Sequence, residues 1–255
     1  MQQQNSDITI ALTEPQEQFV FSEFSFPAIV GGLGSGKSEA GILRLFILMI
    51  QNRAAGYPEI DCLIGFPTYD LCRLRGMSGI EEVAERLGFE YCTNKSEFYV
   101  ELKGLGRILL RSYDRPERWV AFQVAHVVMD ELDTLPPEKA ALVWRKAAER
   151  VRQKSFIPNS IAVVTTPDQG INGFVYSKWV KHRQNGYVLY KASTYSNPYL
   201  PPDYIDQIKA NYDPVLVDLY LNGEFVSLSR NKVYYCFDRK RHHTNRALLD
   251  TDMVI

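Results

Sequence analysis

The segment GGLGSGKS, residues 31–38, limits this chain more than any other stretch. It satisfies G-x-x-x-x-G-K-[ST], with Gly31, Gly36, Lys37 and Ser38 in the defining places. Glycines let a backbone curl until successive N–H groups face phosphate oxygens. The lysine reaches the β- and γ-phosphates, and the hydroxyl is placed to ligate Mg2+. Gly32, Leu33, Gly34 and Ser35 complete the loop. A helix behind such a loop adds its positive end to the same anion. The flanks fit: FPAIV, 26–30, is a short apolar run suited to a buried strand, and 39–51 is a run of helix formers without proline. Strand, glycine loop and helix together predict a site for ATP and Mg2+, and leave little room for a glycine turn that binds nothing.

A chain of 255 residues holds one large α/β domain, or one domain with an appendage. The net charge of −1 excludes nucleic-acid binding by global charge and leaves it to local basic patches. Cys62, Cys72, Cys92 and Cys236 show neither C-x-x-C nor metal-ligand spacing, so reduced thiols of a cytosolic protein are expected. The opening MQQQNSDITI has no basic start and no apolar core, and the most apolar stretch, 41–50, contains Arg44 and is too short to span a bilayer. The reading is a soluble intracellular protein with no membrane partner.

Strand and helix patterns alternate along the chain. A short helix is predicted over 12–24, an apolar strand over 61–67, and an amphipathic helix within 74–88 on Ile80, Val83, Ala84 and Leu87. Two strands, 96–102 and 107–112, flank a glycine turn. Strands at 124–133 and 160–167 flank a helix over 136–153, and a helix over 173–183 leads into a strand at YVLYKAS. This alternation predicts a mostly parallel sheet with helices on both faces. From Thr194 the texture turns rich in Pro and Tyr, with two short helical patterns. The expected division is a core over 1–193, a small helical lid subdomain over 194–226, and a polar, basic linker over 227–255.

HVVMDE, 126–131, delivers Asp130 and Glu131 at the carboxyl end of an apolar strand, where ligands bind in open α/β sheets. Asp130 fits a holder of Mg2+ alongside Ser38. Glu131 suits the polarisation of an attacking water, which points to hydrolysis rather than transfer to an acceptor. Thr165-Thr166-Pro167 ends the next strand. Those hydroxyls either meet the γ-phosphate or attacking water, or are simply β-branched residues closing a strand before proline.

In order, PQEQF, GGLGSGKS, VVMDE, VVTTP and SNPYLPPDYIDQIKANYDPVLVDLYLNGEF resemble the ATPase half of a large terminase subunit, the DNA-packaging motor of tailed viruses. The resemblance runs from about residue 12 to 225, and VYYCFDRKRHH resembles the linker into that family's nuclease domain. It implies a RecA-like P-loop NTPase fold and ATP hydrolysis that drives double-stranded viral DNA into a procapsid. It implies that Gln16 senses adenine, that Lys37 and Ser38 bind phosphate and Mg2+, and that Asp130 holds the metal. Glu131 is then catalytic and Thr165-Thr166 the coupling motif. The implied partners are double-stranded DNA, the portal protein of the procapsid, the small terminase subunit and, when assembled, further copies in a ring, with a monomer allowed for the isolated domain. The implied location is the cytoplasm of an infected host cell.

Many relatives carry arginine where this loop has Leu33, so positive charge for the transition state must come from elsewhere. Arg115 and Arg118 precede the Asp130 strand, in the region from which the family sends an arginine to a neighbour's nucleotide. Arg118 is the favoured finger, against a plain surface arginine in a turn. Arg145, Lys146, Arg150, Arg152 and Lys154 form a basic stripe, solvated or facing DNA phosphates. Asp250 and Asp252 do not complete a nuclease metal site, and His242-His243 reads as solvated, so no nuclease activity is expected of this chain alone. The alternatives are another RecA-like helicase or translocase, or a small-molecule P-loop kinase.

Overall fold

The computed structural model describes residues 10–227. Residues 1–9 of the leader, Cys236, His242-His243, Asp250, Asp252 and nearly all of the expected linker lie outside the described residues.

Eight strands form one sheet: β1 (Phe26–Gly31), β2 (Cys62–Phe66), β3 (Tyr91–Asn94), β4 (Tyr99–Leu102), β5 (Gly106–Ser112), β6 (His126–Asp130), β7 (Ser160–Thr165) and β8 (Tyr187–Ala192). Their order is β3-β4-β5-β2-β6-β7-β1-β8. The six strands from β5 to β8 in that order run parallel, and β4 pairs antiparallel with both β3 and β5 at one edge. The expected mostly parallel sheet is therefore present.

β1, β2, β6 and β7 are buried almost throughout because both faces of the sheet are covered, which is why they read as continuous apolar runs. Period-2 alternation divides their side chains between two cores. Ile29, Val128, Ala162 and Val164 meet the helices α1 (Glu14–Val20), α2 (Lys37–Ala54) and α4 (Ser78–Arg86). Val30, Val127, Met129, Ile161 and Val163 meet α5 (Pro137–Arg150) and the π-helical turn Tyr176–Lys181, where Trp144, Phe174 and Trp179 pack edge to face or tilted. Two short helices, α6 (Tyr204–Asn211) and α7 (Pro214–Asn222), follow β8.

Several expectations need correction. β3 has no counterpart in the sequence reading: its four residues are only half covered, and pairing with β4 rather than burial makes it a strand. The helix expected within 74–88 begins earlier, with α3 (Tyr69–Leu71) capped by Thr68. It then widens into a π-helical turn, Cys72–Met77, before α4. The helix expected over 136–153 stops at Arg150, because Val151 bridges Val124 and the backbone turns extended.

Arg44 is the one charged side chain inside the most apolar stretch, and it is 1% exposed. Its Nη1 donates to the carbonyls of Phe19 (2.8 Å) and Val20 (3.1 Å), the unsatisfied end of α1. Burial pulls its pKa down to about 10, so it stays charged at neutral pH. The contact fixes α1 on α2, and α1 carries Gln16. Arg44→Ala is expected to cost about 2–4 kcal/mol in a urea titration by orphaning Val20 O and leaving Phe19 O with the Ser22 N–H at 3.3 Å. An unchanged midpoint would show that α1 is held by its apolar face alone.

Candidate active site

Gly31, Asp130 and Thr165 end three strands at one edge of the sheet. β7 lies between β1 and β6, and Val30 pairs with Thr165 while Asp130 pairs with Val164. Residues distant in sequence thus meet at the carboxyl ends of adjacent strands, the usual ligand position in an open α/β sheet.

The loop after β1 needs its glycines for two reasons. Gly34 and Gly36 have φ of 69° and 76°, the left-handed region that side chains disfavour. Gly32 has no room: a Cβ there would lie 2.5 and 2.6 Å from the carbonyl oxygens of Leu221 and Tyr220 at the end of α7. Leu33 N–H donates to Tyr220 O (2.7 Å), and Thr194 Oγ1 donates to Leu33 O (2.7 Å). Asn197 Nδ2 donates to Gly34 O (2.6 Å). The loop is therefore seated on backbone and side chains of the segment after β8. Ser35 is buried and its Oγ has no partner.

Lys37 opens α2 and is 4% exposed. Its Nζ donates to Gly32 O (3.3 Å) and lies 3.6 Å from Glu131 Oε1. Ser38 Oγ donates to Asp130 Oδ1 (3.1 Å), while Asp130 Oδ2 is buried without a partner. Burial, then the charge of Glu131, push the Asp130 carboxyl well above its usual range. A hydroxyl beside a carboxylate with a free buried oxygen is the donor set a hard divalent cation takes, so these residues fit Mg2+.

Glu131 has φ of 52°, an uncommon conformation for a residue with a side chain. It is held there by its N–H on Val164 O (2.6 Å) and by Thr166 N–H on its Oε2 (3.1 Å). Thr165 Oγ1 donates to Thr166 O (2.9 Å) and accepts from Asp133 N–H (3.1 Å), whereas Thr166 Oγ1 is buried without a partner. The two hydroxyls thus differ: the first braces the acidic turn and the second is uncommitted.

Gln16 completes a capping box on α1, with Oε1 accepting from Thr13 N–H (2.9 Å) and Nε2 donating to Ser35 O (3.2 Å). It borders a cavity of about 580 Å3 with Thr13, Pro198 and Tyr199. A cavity of about 390 Å3 holds Lys37 and Ser38, and the two share Gly36, Glu39, Arg86 and Asn197. One side suits a base and the other its phosphates.

Arg118 is not in either cavity. It ends the short turn Pro116–Arg118 and lines a separate cavity with Arg115, Tyr69 and Trp119. Of the basic stripe, Lys146 and Arg150 both pair with Glu149 at 3.2 Å, while Arg145, Arg152 and Lys154 are exposed.

Three residues at the site gave no signal in the sequence. Arg75, in the π-helical turn, lines the phosphate-side cavity. Asp168, just past Thr166-Pro167, is hydrogen-bonded to Tyr220 of α7, and burial followed by the charge of Glu131 push its pKa up to about 6. Tyr113 is fully buried with its hydroxyl 2.7 Å from Gly65 O and 2.8 Å from Asp130 O, so it steadies the end of β6. Only a fold that joins β2, β5 and β6 reveals that contact.

Among the described residues no helix is long and apolar enough to cross a membrane. Cys62, Cys72 and Cys92 are free thiols, the first two buried.

A family model described as "Terminase large subunit, T4likevirus-type, N-terminal" matches residues 28–240. Comparison with curated proteins finds no match. Among solved structures, the chain is similar to a large terminase from a thermophilic bacteriophage, with TM-score 0.71 and 12% identity over 85% of this chain and 54% of that one. It is also similar to the same phage's large terminase in complex with ADP, with TM-score 0.69 and 14% identity over 91% and 57%. A third likeness is to the large terminase ATPase domain of Thermus phage P74-26, with TM-score 0.60 and 17% identity over 86% and 96%. The chain spans about half the length of the thermophilic-phage terminase, 54%, and nearly all of the isolated ATPase domain, 96%. At these identities the likeness shows the fold.

The raised pKa of Asp168 has a consequence for stability. Its folded value, about 6, lies above the unfolded one, so the folded state binds more protons between the two. Stability from this group is therefore lost as pH rises through that window. In the nucleotide-free chain, Asp168→Asn is expected to gain in melting temperature over the wild type as pH goes from about 4.5 to 7. A constant difference across that range would contradict the assignment.

Proposed function

The chain belongs to the large terminase subunits, matching the N-terminal part of the family over residues 28–240, and on that premise we propose that it is an Mg2+-dependent ATPase that drives double-stranded DNA into a viral procapsid. One observation carries the chemistry. Lys37 Nζ lies between Gly32 O (3.3 Å) and Glu131 Oε1 (3.6 Å), beside the Ser38–Asp130 hydrogen bond. A phosphate-binding lysine and a water-orienting carboxylate therefore share one corner.

The geometry supports the following roles. Backbone N–H groups of Gly32 to Gly36 and Lys37 Nζ bind the β- and γ-phosphates, and Gln16 borders the base. Ser38 Oγ and Asp130 would hold Mg2+, which when bound would supply positive charge to the phosphates. Without nucleotide, Lys37 is paired with Glu131. Phosphate oxygens compete for that ammonium, and Glu131 Oε1 is then free to accept a proton from the attacking water. Glu131 Oε2 stays fixed by Thr166 N–H. Water oxygen bonds to the γ-phosphorus, the bond from the bridging oxygen to the γ-phosphorus breaks, and ADP and phosphate result. Thr166 Oγ1, buried and unpartnered, is the coupling hydroxyl that can register the γ-phosphate. Residues 194–226 act as a lid seated on the loop.

In the assembled motor, copies of the chain form a ring on the portal protein, with the small subunit presenting DNA, in the cytoplasm of the infected cell. Arg118, outside its own chain's nucleotide cavity, then serves the neighbouring copy. Such a finger is worth about 10^3 to 10^5 in rate in comparable hydrolases.

Phosphate release from ATP, with and without double-stranded DNA and over a range of protein concentration, tests the reading. Lys37→Ala is expected to lose nucleotide binding or turnover. Glu131→Gln is expected to keep ATP binding and lose about 10^2- to 10^4-fold in turnover. An active Lys37→Ala protein would remove the assignment. An equimolar mixture of Glu131→Gln and Arg118→Ala is expected to recover activity, because one mixed interface carries both intact groups. Absence of recovery, with each parent protein folded and the wild type active, would place the finger elsewhere.

A further inference from the structure

The site described so far contains Asp130, Glu131 and Asp168, with the charge of Glu131 acting on both aspartates, against a single lysine, Lys37. Leu33 brings no charge to the loop, and Arg118 lines another cavity. Phosphoryl transfer spreads negative charge over the γ-phosphate oxygens, and preorganised cations stabilise it.

The cavity that holds Lys37 and Ser38 also holds Arg75. Arg75 projects from the π-helical turn Cys72–Met77, a widened turn of the kind frequently found at functional sites. Close packing fixes this turn. A Cβ on Gly76 would lie 2.5 Å from both Leu110 Cδ2 and Phe66 Cε2, and Cys72, Gly76 and Met77 are buried. The backbone next to Arg75 is thus pressed onto β2 and β5, while its own side chain is exposed. Nearby cations are committed, Arg73 to Asp70 at 3.9 Å and Arg86 to Glu39 at 2.7 Å. Among the described residues Arg75 makes no ion pair within 4 Å, although its charge is felt at Asp130. A fixed backbone, an uncommitted guanidinium and a shared cavity are the requirements for a ligand-facing cation.

We propose that Arg75 is a catalytic cation of this chain's own nucleotide site, touching the γ-phosphate of the triphosphate that the glycine loop binds. The proposal rests on the ATPase reading and adds a second positive group supplied in cis. It assigns to the turn after β2 the charge that Leu33 does not bring. A guanidinium presents a planar fork of donors that matches two phosphate oxygens at once.

The test compares binding of Mg-ADP and Mg-ATPγS by calorimetry, on the full chain, at concentrations where light scattering shows a monomer. The readout is the ratio of the two affinities, which a merely structural role would leave unchanged. In Arg75→Ala the preference for ATPγS is expected to fall on the order of tenfold, with ADP affinity held within about twofold. Arg75→Lys is expected to restore part of the preference, and Arg73→Ala to match the wild type. An Arg75→Ala protein that keeps the full preference, or that weakens both nucleotides equally, overturns the proposal. So does a wild type that binds both nucleotides with no preference. A wild type that binds neither nucleotide overturns the ATPase reading itself, a distinct result.

Discussion

The buried Lys37 ammonium is what the rest of the site depends on. At 4% exposure it has little water, so its charge must be met by protein or by ligand. Gly32 O and Glu131 Oε1 meet it in this structure. Asp130, in turn, has only the Ser38 hydroxyl on one oxygen and nothing on the other. The corner is therefore a set of charges with incomplete partners, kept in place by a sheet that is buried on both faces. Binding a polyphosphate with its cation would give each of these groups a fuller complement, which is the physical ground for assigning that pair of ligands to the site.

The main lines of this arrangement are legible in the sequence because they come from local rules. The glycine spacing of the loop, the apolar run ending in Asp130-Glu131, and the apolar run ending in Thr165 each announce an element and its end. The mostly parallel sheet follows from their alternation with helices. What stayed hidden depends on tertiary pairing. β3 is a strand because β4 offers it hydrogen bonds, not because its residues alternate. Tyr113 reaches Asp130 O only once β5, β2 and β6 are aligned side by side. The π-helical turn has the helical pattern of its neighbours, so a period of 3.6 does not betray the extra residue that redirects Arg75.

The threonine pair shows how a motif reading is refined by contacts. The two threonines make different contacts. Thr165 is spent on the acidic turn, through Asp133 N–H and Thr166 O. Thr166 holds Glu131 with its backbone and leaves its hydroxyl free. Asp168 then continues the same stretch of chain to Tyr220 of α7, so that one short segment touches both Glu131 and the helix under the loop.

The seat of the glycine loop on α7 is made of main chain: Leu33 N–H to Tyr220 O, with Gly32 closed in by the carbonyls of Tyr220 and Leu221. Every residue except proline carries the same N–H, and every residue carries the same carbonyl. The join is consequently indifferent to which side chains occupy positions 33, 220 and 221, provided that position 32 remains glycine. Substitution at 220 and 221 therefore leaves this join in place, while Thr194 Oγ1 and Asn197 Nδ2, on Leu33 O and Gly34 O, tie the loop to two particular side chains. A seat of this kind is inherited largely through the path of the backbone, and its marks in the amino-acid text are few: Gly32, Thr194 and Asn197.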